Sequence, residues 1–223
     1  IDVWLSKDKV PIVIHGLLHP YQGFVELENG KQNISEIDAG NLKNYTLENG
    51  EKILTLAETL DACKGQISLN IEFKDWRGEI VDRVLDVVQE KNMLGQVSFS
   101  SFNYYLRKRL TRETVRRKLE PMSFGYISSS VFRMFPNYTT TSPGDTINVD
   151  IRFMEKDPEA WSKNVNEAKK HGLMIKVWFP IIFESEIEYY EELMKIGVHT
   201  IITNEPLEAL DYFESKRLIG MLV

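Results

Sequence analysis

One cysteine, Cys63, stands among 223 residues, so an internal disulfide is excluded and a reducing compartment, the cytoplasm, is favoured. Positive charge is in deficit: 27 Lys and Arg against 33 Asp and Glu give a net charge of −6, which argues against a nucleic-acid partner. No apolar run approaches the roughly 18 residues that a membrane-spanning helix needs. Histidine is scarce, with four in the chain, so each can be weighed singly. Neither an internal repeat nor a clear linker is visible, and the chain opens inside a motif at Ile1. Three glycosylation sequons, Asn33-Ile34-Ser35, Asn44-Tyr45-Thr46 and Asn137-Tyr138-Thr139, keep secretion as the alternative compartment. What the chain does have is 43% hydrophobic content, enough for one large core, and a single domain over 1–223 is expected.

The first fifteen residues are the most informative. Two β-branched runs, 1–5 and 10–15, flank Lys7-Asp8-Lys9 and read as strand, turn, strand. A hairpin folded about Asp8 is expected to bring Asp2 and His15 together across the ladder, a carboxylate and an imidazole fit for metal or acid–base work. Strands are then expected at 66–73, 96–101, 122–127, 147–151, 173–179 and 199–203. Helices are expected at 79–91, 103–119, 157–171, 184–196 and 205–216. The third of these opens on Asp157-Pro158, an N-cap followed by proline at the first helical position. The Ser-, Thr-, Pro- and Gly-rich stretch 128–145 reads as a long loop.

With the returning hairpin arm set aside, seven strands remain, and crossover segments join them from the third onward, as parallel pairing demands. That count predicts an α/β (β/α)8 TIM barrel, with its first strand and helix absent from the chain. An open doubly wound sheet is the alternative, but no strand is followed by a glycine-rich phosphate turn. In a barrel the functional side chains gather at the C-terminal strand ends, where Asp2, Glu72, Lys74, Ser100, Ser101, Asp150, Arg152, Trp178, Thr203 and Asn204 fall. Glu72 and Lys74 share one face of their strand, which calls for a mutual ion pair or a bound ion or ligand.

These residues carry a family resemblance. The segments 2–15, Leu69-Asn70-Ile71-Glu72-Phe73-Lys74, Ser100-Ser101-Phe102, Val177-Trp178 and Gly197 to Pro206 resemble, in order, five motifs of the glycerophosphodiester phosphodiesterases. The resemblance implies hydrolysis of a glycerophosphodiester, a small-molecule substrate, to glycerol 3-phosphate and an alcohol. It implies a divalent cation, Ca2+ or Mg2+, held by Asp2, Glu72 and a glutamate just before Ile1, and oxygen ligands suit such a hard ion. It makes His15 one of two catalytic histidines, the other belonging to a His-Arg-Gly motif upstream. Lys74 would offset phosphate charge and Trp178 would wall the glycerol or head group. Gly16 and Asn204 stand where the family usually has aspartate. A lysophospholipase D-like activity and an inactive phosphodiester- or partner-binding barrel are the alternative functions.

Other features have plainer readings. His19 belongs to a loop before Pro20, His171 to a helix C-terminus, and His199 to the start of its strand. Cys63 reads as a core thiol. The segment 106–118 carries seven positive charges and reads as a solvated outer helix, with peripheral contact to anionic lipid as the alternative. Phe132, Met134, Phe135 and Tyr138 would form a lid or a plug.

Overall fold

Two periodicities, alternation in strands and 3.6-residue spacing in helices, set the elements. In the computed structural model, residues 1–19, 22–27, 30–47, 50, 52–128, 144–180 and 185–218 are described. They fall into two units, 1–125 and 126–223.

The first unit begins with β1 (Asp2–Leu5) and β2 (Pro11–Val13), antiparallel with Val3 opposite Val13 and Leu5 opposite Pro11. Their connection is a three-residue loop: Ser6 N donates to Val10 O at 3.1 Å, and Lys9 closes it in the left-handed region at φ 65°. Asp8 Oδ1 accepts from Ser6 Oγ at 2.6 Å and from Ala39 N at 2.9 Å, which fixes the loop. A small antiparallel sheet follows, β3 (Leu17–His19), β4 (Gln22–Leu27) and β5 (Gly30–Asn33), then the short helix α1 (Ala39–Leu42). Gly23 permits the sheet to lie against Trp4, because a Cβ there would come within 2.6 Å of the indole.

β6 (Leu54–Thr55) adds to β2, and α2 (Leu56–Cys63) starts at a full capping box between Thr55 and Glu58. Next come β7 (Leu69–Phe73), α3 (Glu79–Glu90), β8 (Val97–Ser101) and α4 (Tyr105–Arg116). β7 pairs in parallel with both β1 and β8. Ile71, Phe73 and Phe99 of these strands and Ile80, Val84, Leu85 and Val88 of α3 are buried, and Phe73 stacks on Phe99 at 5.1 Å. Burial of that helical stripe, at about 25 cal/mol per Å2 of apolar surface, is what holds α3 to the strands.

β9 (Phe124–Ser128) runs across the boundary between the units. The second unit then holds β10 (Thr146–Asp150), α5 (Arg152–Lys156), α6 (Pro158–Lys170), β11 (Met174–Trp178), α7 (Ile187–Lys195), β12 (Thr200–Ile202) and α8 (Pro206–Leu218). β10, β11 and β12 are parallel neighbours, with Asn148 opposite Lys176 and Asp150 opposite Trp178. Ile147, Val149, Ile175 and Val177 pack with Trp161 and Val165 of α6 and with Tyr190 and Leu193 of α7. Asp157 caps α6 as expected, its Oδ1 accepting from Ala160 N at 2.9 Å.

All seven expected strands and all five expected helices are present within a few residues, in a mixed α/β fold with mostly parallel strands. Residues 129–143 of the long loop, with its four aromatic and methionine side chains, lie outside the described residues. Among the described residues, no helix is long and apolar enough to cross a membrane.

Candidate active site

Parallel pairing of β1 with β7 makes Asp2 and Glu72 Cα partners, so their carboxylates project side by side from one face. Lys74, two residues beyond Glu72, shares that face. Its ammonium lies 2.8 Å from Glu72 Oε1 and 3.9 Å from Asp2 Oδ1, and its side chain is only 8% exposed. The Phe102 ring stands 5.8 Å from the same Nζ. The cluster is therefore two carboxylates and one ammonium, short by one positive charge.

Glu72 shows the imbalance. Burial, opposed by Lys74 and reinforced by the Asp2 charge, raises its carboxyl to about 7. Its buried Oε1 meets no geometrically aligned hydrogen-bond donor among the described residues, so the 2.8 Å approach of Lys74 is chiefly ionic. A divalent cation fits this place: the donors are hard oxygens, one of them lacks an aligned hydrogen bond, and the pair carries surplus negative charge. Two carboxylates are a partial ligand set, and no group of three or more His, Cys, Asp or Glu stands together among the described residues.

Sequence reasoning missed the layer beneath. Asn70, on the same face of β7, donates to Ser100 Oγ at 2.8 Å and accepts from Ser98 Oγ at 3.2 Å. The signal was present as alternation in Asn70-Ile71-Glu72-Phe73-Lys74, where every second residue is polar. Ser101 accepts the Asn103 N–H at 3.0 Å and donates to Phe73 O at 2.7 Å, so it shapes the loop after β8. Near the outer end of the same strands, a cleft of about 390 Å3 is lined by Trp4, Gly23, Asn33, Ser35, Asp75, Trp76 and Arg77.

The expected cross-strand pairing of Asp2 with His15 is corrected. Because the hairpin loop has three residues, Val3 faces Val13 and the Asp2 carbonyl accepts from Ile14 N at 3.0 Å. Asp2 thus lies opposite Ile14, and His15 is one residue further on, past the end of β2. His15 is exposed, with Nδ1 3.0 Å from Gly16 O, while its own carbonyl accepts from Trp4 Nε1 at 3.2 Å. Gly16 has φ 70°, a conformation that favours glycine.

In the second unit, Asp150 accepts both the backbone N–H and the guanidinium of Arg152. Trp178 ends β11, and its buried Nε1 has no hydrogen-bond partner among the described residues. Asn204 has a clear reason to be an amide: it donates to Glu186 Oε1 at 2.9 Å and to Phe179 O at 3.1 Å. Glu186, 5% exposed, also accepts from Asn204 N, Thr203 Oγ1 and Tyr190 Oη. An aspartate at 204 would set two carboxylates against each other.

The remaining histidines have structural partners. His171 caps α6 and its Nε2 lies 3.4 Å from Glu167; His199 Nδ1 accepts from Ile175 N at 3.1 Å. The side chain of His19 lies outside the described residues. Cys63 is half-buried at the end of α2, less enclosed than the expected core thiol. On α4 and at its C-cap, Arg109, Arg116 and Arg117 are paired with Asp82, Asp86 or Glu113, so much of the basic run is neutralised in place.

Comparison with known proteins adds the fold. The chain is similar over 97% of its length, and over 83% of the other chain, to a glycerophosphodiester phosphodiesterase from Parabacteroides distasonis, at 22% identity and TM-score 0.71. It is similar to one from Agrobacterium tumefaciens at 16% identity and TM-score 0.64, covering 90% and 80% of the two chains. A candidate glycerophosphodiester phosphodiesterase from Galdieria sulphuraria gives 19% identity and TM-score 0.76, with 96% and 84% covered. No family model matches the chain, and no curated protein does. At these identities the likeness shows the fold, which is that of the (β/α)8 TIM barrels.

Proposed function

We propose that the chain is a metal-dependent phosphodiesterase that hydrolyses glycerophosphodiesters to glycerol 3-phosphate and an alcohol. The observation that carries this reading is the convergence of Asp2, Glu72 and Lys74 on one face of two parallel strands, with Glu72 Oε1 buried and without an aligned donor among the described residues. The likeness to solved structures that bear this activity in their names supports it.

Asp2 and Glu72 would hold the cation, calcium or magnesium. When bound, it supplies charge neutralisation and Lewis-acid polarisation at the phosphoryl oxygens. Lys74 would bind a non-bridging oxygen as a point charge. His15 serves as the acid–base group. Its Nδ1 faces a carbonyl, which can only accept, so Nδ1 carries the proton and Nε2 holds the lone pair. Nε2 can then take a proton from the attacking oxygen or, once protonated, return one to the departing alcohol. Water oxygen bonds to phosphorus as the bond from phosphorus to the alcohol oxygen breaks. The Trp4–Trp76 cleft, beginning two residues along β1 from Asp2, offers room for a small head group.

The test is release of glycerol 3-phosphate from glycerophosphocholine with calcium, magnesium or chelator, beside His15→Ala and Glu72→Ala. Metal-dependent turnover lost in both variants supports the reading. No turnover by a folded, metal-loaded protein removes the glycerophosphodiester assignment, and lysolipid substrates then come next.

A further inference from the structure

The basic run along α4 and just past its end carries seven cationic side chains, and packing sorts them into two sets. Arg107 is buried, its Nη1 donating to Thr111 Oγ1 at 2.7 Å. Arg109, Arg116 and Arg117 are held by Asp82, Glu113 and Asp86. Lys108, Arg112 and Lys118 are exposed and form no ion pair among the described residues. At 3.6 residues per turn, Tyr105, Lys108, Arg112, Val115 and Arg116 fall within an arc of roughly 100°, along roughly 16 Å of helix. Leu106, Leu110 and Thr114 take the buried side, so the arc faces solvent, with Tyr105 79% and Val115 72% exposed. Glu113, the one carboxylate of α4, is buried and turned to the arginines, which leaves the arc without an acid. By contrast α3, α6, α7 and α8 all expose carboxylates.

An unneutralised basic arc in a chain of net charge −6 is matched by a partner of the opposite sign. The cleft beside it, between α3 and α4, gives an acidic peptide no foothold, because each of its four arginines already meets a carboxylate. The arc itself is the convex flank of a helix, which brings all its side chains into contact only with a broad surface. A tyrosine and a valine set among cations suit the boundary of a bilayer: the apolar groups enter the headgroup layer and the cations meet anionic headgroups. The negative net charge does not prevent approach, since salt screens charges beyond about 8 Å at physiological ionic strength. We propose that the outward arc of α4, Tyr105, Lys108, Arg112 and Val115, with Lys118 beyond it, docks on an anionic lipid surface. The proposal rests on the first unit alone and is independent of the hydrolase reading.

The test is sedimentation of the intact chain with phosphatidylcholine vesicles, with and without phosphatidylserine, at physiological salt, with heparin as a soluble polyanion in a parallel arm. Binding to the phosphatidylserine vesicles alone is expected, weakening as salt rises. Lys108→Gln and Arg112→Gln should each lower the affinity about fivefold, the contribution of one cation at such a surface. Tyr105→Ala should lower it too, without changing the salt dependence, because an apolar contact is lost. Lys170→Gln, an exposed lysine outside α4, should leave binding unchanged. All these side chains are exposed, and circular dichroism would verify that each variant is folded. Absence of binding to phosphatidylserine vesicles, equal binding to phosphatidylcholine alone, or full affinity in the folded Lys108→Gln/Arg112→Gln double variant or in Tyr105→Ala would overturn the proposal. Tighter binding of heparin than of vesicles through the same cations would also overturn it, in favour of a soluble polyanion.

Discussion

Asp2 and Glu72 are opposite one another on adjacent parallel strands, although a hairpin, a three-stranded sheet and two helices separate them in the chain. The Asp2 charge raises the cost of ionising Glu72, and Lys74 offsets part of that cost.

The raised Glu72 carboxyl has a consequence for stability. Its folded value, about 7, lies above the ordinary 4.5, so the native state holds the proton more tightly than the unfolded chain. Stability of the metal-free protein therefore falls as pH rises from about 4.5 through 7, by on the order of 3 kcal/mol from this group. Glu72→Gln should flatten that decline. Thermal unfolding in chelator across this range, variant against parent, measures it; parallel profiles would contradict the assignment. Calcium affinity should rise over the same window, since the ion and the proton compete.

Lys74→Met separates two roles. Without the ammonium, the carboxylate pair should bind calcium more tightly, by calorimetry, because a competing cation is gone. Turnover of glycerophosphocholine should nevertheless fall about 100-fold, since charge at the phosphoryl group is no longer offset. A joint fall in affinity and turnover would mean that Lys74 only orders the site.

Asn204→Asp should cost about 1–3 kcal/mol at neutral pH, as a second carboxylate replaces the donor to buried Glu186. Denaturant unfolding of variant against parent decides the matter.

Gly23→Ala drives a methyl group into the indole of Trp4, with contacts of 2.6–2.8 Å. Overpacking of this kind costs about 1–3 kcal/mol. Trp4→Phe in the same chain should recover part of the loss, and melting temperatures of the four-member cycle would show it.

Much of the fold was legible locally. Short apolar runs set between helical segments marked β7 through β12, and an Asp-Pro start marked α6, because strand and helix signals of this kind depend on residues near in sequence. Residues 17–33 lacked such a setting, and their three strands went unforeseen. The basic helix was visible as charge; that Asp82 and Asp86 of α3 absorb it depended on two helices meeting.

The sequence by itself determined that Glu72 and Lys74 share a face, since two residues on a strand always do. It also determined the order and type of the parallel strands and their helices. Only tertiary structure decided which residue meets Asp2. A three-residue loop, closed by a left-handed Lys9, sets Asp2 opposite Ile14, one place short of His15. That step takes His15 out of register with Asp2, while parallel pairing brings Glu72 in. Asn204 likewise has its meaning only beside Glu186, because the worth of an amide over a carboxylate is fixed by the group that faces it.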